Sequence, residues 1–160
     1  MQANNQNRQL IAYCRLSAET QIGSDDNAYY QLSRQIDTCL NYAKENELGN
    51  IKCAVVSIGK HGLTADSIDD VIATNPALSA VIRAAEAGEI DGIVCPSRDR
   101  ITRSETFLNR LLEYLERYGV SVYVTTAAPN LTKVLTRTLA VLHSGSMPRS
   151  THGAARKIRT

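Results

Sequence analysis

Four short apolar runs alternate with longer stretches of helical periodicity, and this alternation constrains the chain more than any single residue does. Leu10-Ile-Ala-Tyr-Cys14, Lys52-Cys-Ala-Val-Val-Ser57, Asp91-Gly-Ile-Val-Cys95 and Val120-Ser-Val-Tyr-Val124 have the length and composition of strands. A polar loop is expected from Ala18 through Asn27, then a helix in which Leu32, Ile36, Cys39, Leu40 and Ala43 share one face until about Asn46. A breaker-rich loop holding Gly59, Gly62, Asp66, Asp69 and Asp70 leads to Asn75-Pro76, which suits the first turn of a helix carrying Leu78, Val81, Ile82 and Ala85 and closing at Gly88. Phe107, Leu108, Leu111, Leu112 and Leu115 line another helix that ends at Gly119, and Leu131, Val134, Leu135, Leu139 and Leu142 line a last one. Strands alternating with helices of this length predict an α/β fold with a mainly parallel four- to five-stranded sheet flanked by helices on both faces.

At 160 residues the chain is one ordinary domain, able to bury a core without disulfides or a structural metal. No apolar run approaches the ~20 residues that cross a bilayer. The expected layout is a disordered polar leader over 1–9, a folded domain over 10–143 and a basic flexible tail over 144–160, in a soluble cytoplasmic protein. Cys14, Cys39, Cys53 and Cys95 are widely spaced among apolar neighbours, which favours small core residues over zinc ligands or thiol chemistry.

Parallel sheets place ligands at the carboxyl ends of their strands, and two loops stand there. Just past the first strand comes Tyr13-Cys-Arg15-Leu-Ser17, where strand alternation puts Arg15 and Ser17 on the same side. Past the third strand comes Arg98-Asp99-Arg100-Ile-Thr-Arg103-Ser104, whose crowded arginines repel one another unless an anion or carboxylates answer them. Asp99 can hold one guanidinium, leaving others for an oxyanion. Arginine suits phosphate because its planar fork stays charged and donates bidentately, so a serine facing several arginines is a reasonable phosphate nucleophile. There is no Gly-rich Walker loop or acidic metal cluster, and no well-placed histidine base, so the expected chemistry needs no metal and no cofactor. Taken singly, a serine after a strand is usually a turn former and loop arginines usually face solvent.

Tyr13-Cys-Arg15-Leu-Ser17 resembles the Tyr-x-Arg-x-Ser opening of the serine recombinases, the resolvase and invertase family. Gln31-Leu-Ser-Arg-Gln35, followed by Leu40 and Tyr42-Ala43, resembles the stretch ending in that family's active-site glutamine. Asp99-Arg100-Ile-Thr-Arg103-Ser104 resembles its Asp-Arg-Leu-x-Arg-Ser motif, and Asn75-Pro76-Ala-Leu78 and Gly119-Val120-Ser-Val extend the match over roughly residues 10 to 142. The resemblance implies a resolvase-like catalytic domain with a C-terminal interface helix, acting on double-stranded DNA as a homo-dimer or tetramer. Ser17 would attack the scissile phosphate and form a 5′-phosphoserine link, and Arg15, Arg100 and Arg103 would bind that phosphate. Asp99 would orient an arginine or meet the leaving hydroxyl, and Gln35 would position the nucleophile's loop. Strand exchange and religation would complete a site-specific recombination.

The resemblance departs at three places. Asn75 stands where the family usually has an active-site arginine, a loss expected to weaken or abolish catalysis. The loop between Ser17 and Gln35 is longer than in small resolvases and closer to that of large serine recombinases. The last helix is interrupted at Ser144-Gly145-Ser146 and Pro148, so either the chain is a fragment or Arg149, Arg156, Lys157 and Arg159 form its DNA-contacting tail, with a separate DNA-binding domain or accessory protein choosing the site. Two alternatives stay open: a catalytically impaired relative that binds DNA or dimerises as a regulator, and a flavodoxin-like module for a phosphorylated metabolite.

Overall fold

The computed structural model of the protein describes residues 7–17, 25–59 and 67–126. The polar residues 1–6, the expected interface helix from Leu131 to Leu142, and the basic tail with Arg149, Arg156, Lys157 and Arg159 lie outside them.

The described chain runs β1 (Gln9–Leu16), α1 (Asp25–Glu45), β2 (Asn50–Ile58), α2 (Ile68–Thr74), α3 (Pro76–Glu86), β3 (Gly92–Cys95), a short 3₁₀ turn (Arg98–Arg100), α4 (Glu105–Glu116) and β4 (Ser121–Val124). All pairings are parallel, in the order β2-β1-β3-β4. This is the expected α/β architecture with four strands. Right-handed crossovers force helices onto both faces, and the two apolar clusters follow from it. Ile11 and Tyr13 of β1 and Ile93 and Cys95 of β3 pack against Leu78, Val81 and Ile82 of α3 and Phe107, Leu111 and Leu115 of α4. The alternate residues Leu10, Ala12, Cys14 and Val94 meet Cys39 and Ala43 of α1 on the other face. Each large side chain buried here contributes about 1.5–3 kcal/mol. Gly92 lets three strands close up, since a Cβ there would stand 2.7 Å from Leu10 Cδ2 and 3.3 Å from the Ser121 carbonyl oxygen.

Several elements depart from the pattern expected of them. β1 takes in Gln9, whose amide donates to Asp91 Oδ2 at 2.7 Å, while the Arg8 guanidinium donates to the Asp91 carbonyl and to the Tyr123 hydroxyl. The start of β1 is thus tied to β4 and to the approach to β3 by polar groups that carry no apolar signal. α1 begins at Asp25 inside the expected polar loop: its first turns are polar and Asp26 favours a helix N-terminus. α2 was hidden in the breaker-rich stretch because it buries only Val71 fully. Ser67 caps it by accepting from the Asp70 amide at 3.1 Å, and Asp69 and Asp70 occupy its first turn. Cys53 is exposed on the edge strand β2, unlike the buried Cys14, Cys39 and Cys95. No described helix is long and apolar enough to cross a membrane.

One feature of the topology positions a site. The chain steps outward from β1 to β2, then returns across β1 to β3, so its direction reverses between β1 and β3. β1 pairs with β3 only from Leu10 to Ala12, whereas β1 continues to Leu16 and β3 to Cys95. The two strands part at their carboxyl ends, where a doubly wound sheet holds its ligand.

Candidate functional site

Residues Arg15 and Ser17 stand on the β1 side of this crevice. Arg15 shares its sheet face with Tyr13 by alternation and lies in register with Ser57 of β2. It is only 6% exposed. One terminal nitrogen, Nη2, donates to the Gly59 carbonyl oxygen, while Nη1 is buried with no hydrogen-bond partner among the described residues. Burial presses the Arg15 pKa down from its ordinary value; Arg103 and Arg100 press the same way, and Tyr13 and Asp99 oppose them. An arginine so placed keeps its charge, and a buried cation repelled by two others gains from an anion. Ser17 follows β1 by one residue and is exposed.

Gln35 of α1 grips the strand that carries these residues. The Arg15 amide donates to Gln35 Oε1 and Gln35 Nε2 donates to the Arg15 carbonyl, both at 2.9 Å. The next carbonyl, that of Leu16, points to β2 and accepts from the Gly59 amide at 2.8 Å. Because successive residues of a strand turn their polar groups to opposite edges, Gln35 occupies the edge of β1 that β3 has left. Its side-chain amide continues the ladder where the partner strand stops, fixing the backbone two residues before Ser17.

Across the crevice, Ile101 and Thr102 are buried at 2% and 3% exposure and anchor a loop that is otherwise charged. Ser104 accepts from the Phe107 amide at 3.1 Å and starts α4, so Arg103 is held between an anchored threonine and a helix cap. Arg100 has its Nε buried without a hydrogen-bond partner among the described residues. The Asp99 pKa is lowered, first by the Ser97 hydroxyl and then by Arg100 and Arg103, with burial opposing. Arg98 is diverted from the group: it pairs with Glu105 at 2.5 Å, both side chains largely exposed. Arg15, Arg100, Arg103 and Asp99 therefore form one electrostatic cluster spanning the ends of β1 and β3, with Gln35 bracing its β1 side.

Asn75 is not a cation's stand-in. It is 1% exposed, accepts from the Leu78 amide at 3.1 Å through Oδ1, and directs Nδ2 at the Tyr13 hydroxyl at 3.5 Å. The same residue ends α2, its amide donating to the Val71 carbonyl at 2.8 Å. Tyr13 is held neutral by burial, which raises its pKa against the lowering effect of Ser57 and Asn75. Gly59 carries no chemical signature in sequence. Its one visible cue is a glycine immediately after a strand, yet it is the Arg15 side chain's hydrogen-bond partner among the described residues.

The family model described as the resolvase N-terminal domain matches residues 10–145. No curated protein matches. Among solved structures, the N-terminal catalytic domain of TP901-1 integrase is similar with a TM-score of 0.60 and 17% identity, covering 86% of this chain and 95% of that one. The C-terminal catalytic domain of ISC1926 TnpA, an IS607-like serine recombinase, gives 0.55 and 20%, covering 84% and 80%. A resolvase family site-specific recombinase from Streptococcus pneumoniae gives 0.54 and 16%, covering 96% and 100%. The chain belongs to the resolvase family, and its fold is that of a serine recombinase catalytic domain.

Proposed function

We propose that this protein cleaves and rejoins DNA through Ser17. The Ser17 oxygen attacks the scissile phosphorus, the bond to the 3′ oxygen breaks, and that oxygen leaves as a hydroxyl with the proton given up by serine. The phosphoserine link to the 5′ end conserves the phosphodiester bond energy, so reversal on a new 3′ hydroxyl needs no nucleotide. The observation that carries the reading is the buried Arg15 Nη1, which has no hydrogen-bond partner among the described residues, in a cluster with Arg100 and Arg103 at the parting of β1 and β3. Such donors stabilise charge that grows on phosphoryl oxygens in a dry site. Asp99 orients the arginines or meets the leaving hydroxyl, and Gln35 holds the nucleophile's strand. Double-stranded DNA is the partner and a homo-dimer or tetramer the working assembly, with Arg149, Arg156, Lys157 and Arg159 adding phosphate contacts.

A second reading, a regulator that binds DNA without cutting it, is favoured by one observation: Asn75 is committed to helix capping and to the core, leaving no cation at that position. Incubation with supercoiled DNA, quenching in denaturant and detection of protein on 5′ ends separates the two. An adduct formed by the wild type and lost in Ser17→Ala supports catalysis. A folded wild type that gives no adduct supports the regulator.

A further inference from the structure

We infer that Gly59 is a positioning residue for the phosphate-binding arginine, holding the Arg15 guanidinium by a neutral carbonyl so that its full charge stays available to the ligand. The inference rests on reading Arg15 as a phosphate ligand. Gly59 engages the end of β1 twice: its amide donates to the Leu16 carbonyl at 2.8 Å and its carbonyl accepts from Arg15 Nη2. In an extended strand the amide and carbonyl of one residue point to the same edge, so a strand-like residue here would turn both toward the β1 backbone. Gly59 instead has φ 77°, outside the strand region, and its carbonyl leaves the ladder to accept from the Arg15 side chain. That conformation is open to glycine, tolerated by asparagine and disfavoured for alanine.

The chemistry of the anchor decides its use. A carboxylate here would pair with the guanidinium and neutralise it, whereas a carbonyl fixes one nitrogen and leaves the charge intact. With Nη2 held by Gly59 and the Arg15 backbone held by Gln35, Nη1, buried with no hydrogen-bond partner among the described residues, is a donor available to an anion in the crevice. The nucleophile's segment is thereby gripped from both edges, by Gln35 on the β3 side and Gly59 on the β2 side.

The test compares wild type, Gly59→Ala and Gly59→Asn as the full chain labelled with ¹⁵N-arginine, with the Arg15 signal assigned through Arg15→Lys. In ligand-free protein, hydrogen exchange at the Arg15 guanidinium is expected to quicken about tenfold or more in Gly59→Ala and to return toward wild type in Gly59→Asn. Equal exchange in all three proteins would overturn the anchor. Titration with inorganic phosphate should then shift the Arg15 signal in wild type, with affinity about tenfold weaker in Gly59→Ala and largely recovered in Gly59→Asn. A wild-type Arg15 signal indifferent to phosphate would refute the phosphate-ligand reading even where the anchor stands. On cleavable DNA, Gly59→Ala should lower the rate of adduct formation by up to about 100-fold, the scale of a 1 Å misplacement, with DNA affinity little changed. Equal loss in both variants with a matching fall in melting temperature would mean that Gly59 serves only the turn, and would overturn the proposal.

Discussion

Replacing Gln35 with alanine removes two hydrogen bonds from the backbone of one residue. Each is neutral, 2.9 Å long and partly buried, so each contributes about 0.5–1.5 kcal/mol net, and Gln35→Ala should cost about 1–3 kcal/mol. The cost is local as well as global, because Arg15 has no β3 partner to take over its amide. Its exchange with solvent should therefore quicken by about tenfold or more, at about 1.4 kcal/mol per tenfold. Gln35→Glu sharpens the test. The introduced carboxylate keeps an acceptor for the Arg15 amide but sets a second acceptor against the Arg15 carbonyl, so destabilisation at neutral pH should equal or exceed that of alanine. Protonation restores a donor, so this variant alone should regain stability relative to wild type as pH falls through the pKa of that carboxyl group. Urea unfolding at several pH values and amide exchange measure both effects. A Gln35→Ala protein within about 0.5 kcal/mol of wild type, with Arg15 exchange unchanged, would refute the bracing role.

Other outcomes follow from the same contacts. Asn75→Ala removes the α3 cap and a polar neighbour of the Tyr13 hydroxyl, and should cost about 1–2 kcal/mol in urea unfolding. Asp99 has its pKa depressed in the folded state, first by Ser97. Its stabilising contribution is present above the unfolded carboxylate value of about 4 and is lost as pH falls through the lower folded value, so Asp99→Asn should flatten the acid limb of stability against pH. Burial raises the Cys95 thiol; its contribution is full below the unfolded value of about 8.5 and is lost as pH rises above it, and Cys95→Ala should lessen that alkaline loss.

What the sequence makes legible divides along physical lines. The sheet and its main helices show themselves because strands buried on both faces, β1 and β3, read as continuous apolar runs and helices buried on one face as a helical period; Leu10 to Cys14, and Leu78 to Ala85, are examples. α2 is illegible because a seven-residue helix with one fully buried side chain has no period to display. Asn75 shows the opposite case: Asn-Pro ahead of a helical period marks a helix start, and the structure adds that the side chain is spent on the cap and the core. At the site, the crowding of arginines is visible in sequence, but their sorting is not. Arg98 is taken by Glu105 seven residues later, across a loop and a helix cap. The grips of Gln35 and Gly59 on Arg15 span twenty and forty-four residues and depend on a backbone path that no local pattern encodes.

The proposed chemistry turns on a bond between Ser17 and DNA. The most direct measurement captures adducts on a random-sequence library of supercoiled DNA, removes the DNA with nuclease, digests with trypsin and reads the peptides by mass spectrometry. Cleavage after Arg15 and Arg34 isolates Leu16 to Arg34, with Ser17 near its amino end. The mass of a nucleotide joined through its 5′ phosphate is expected on this peptide, localised by fragmentation to Ser17. A nucleotide on another residue, or none on any peptide from folded protein, would contradict it.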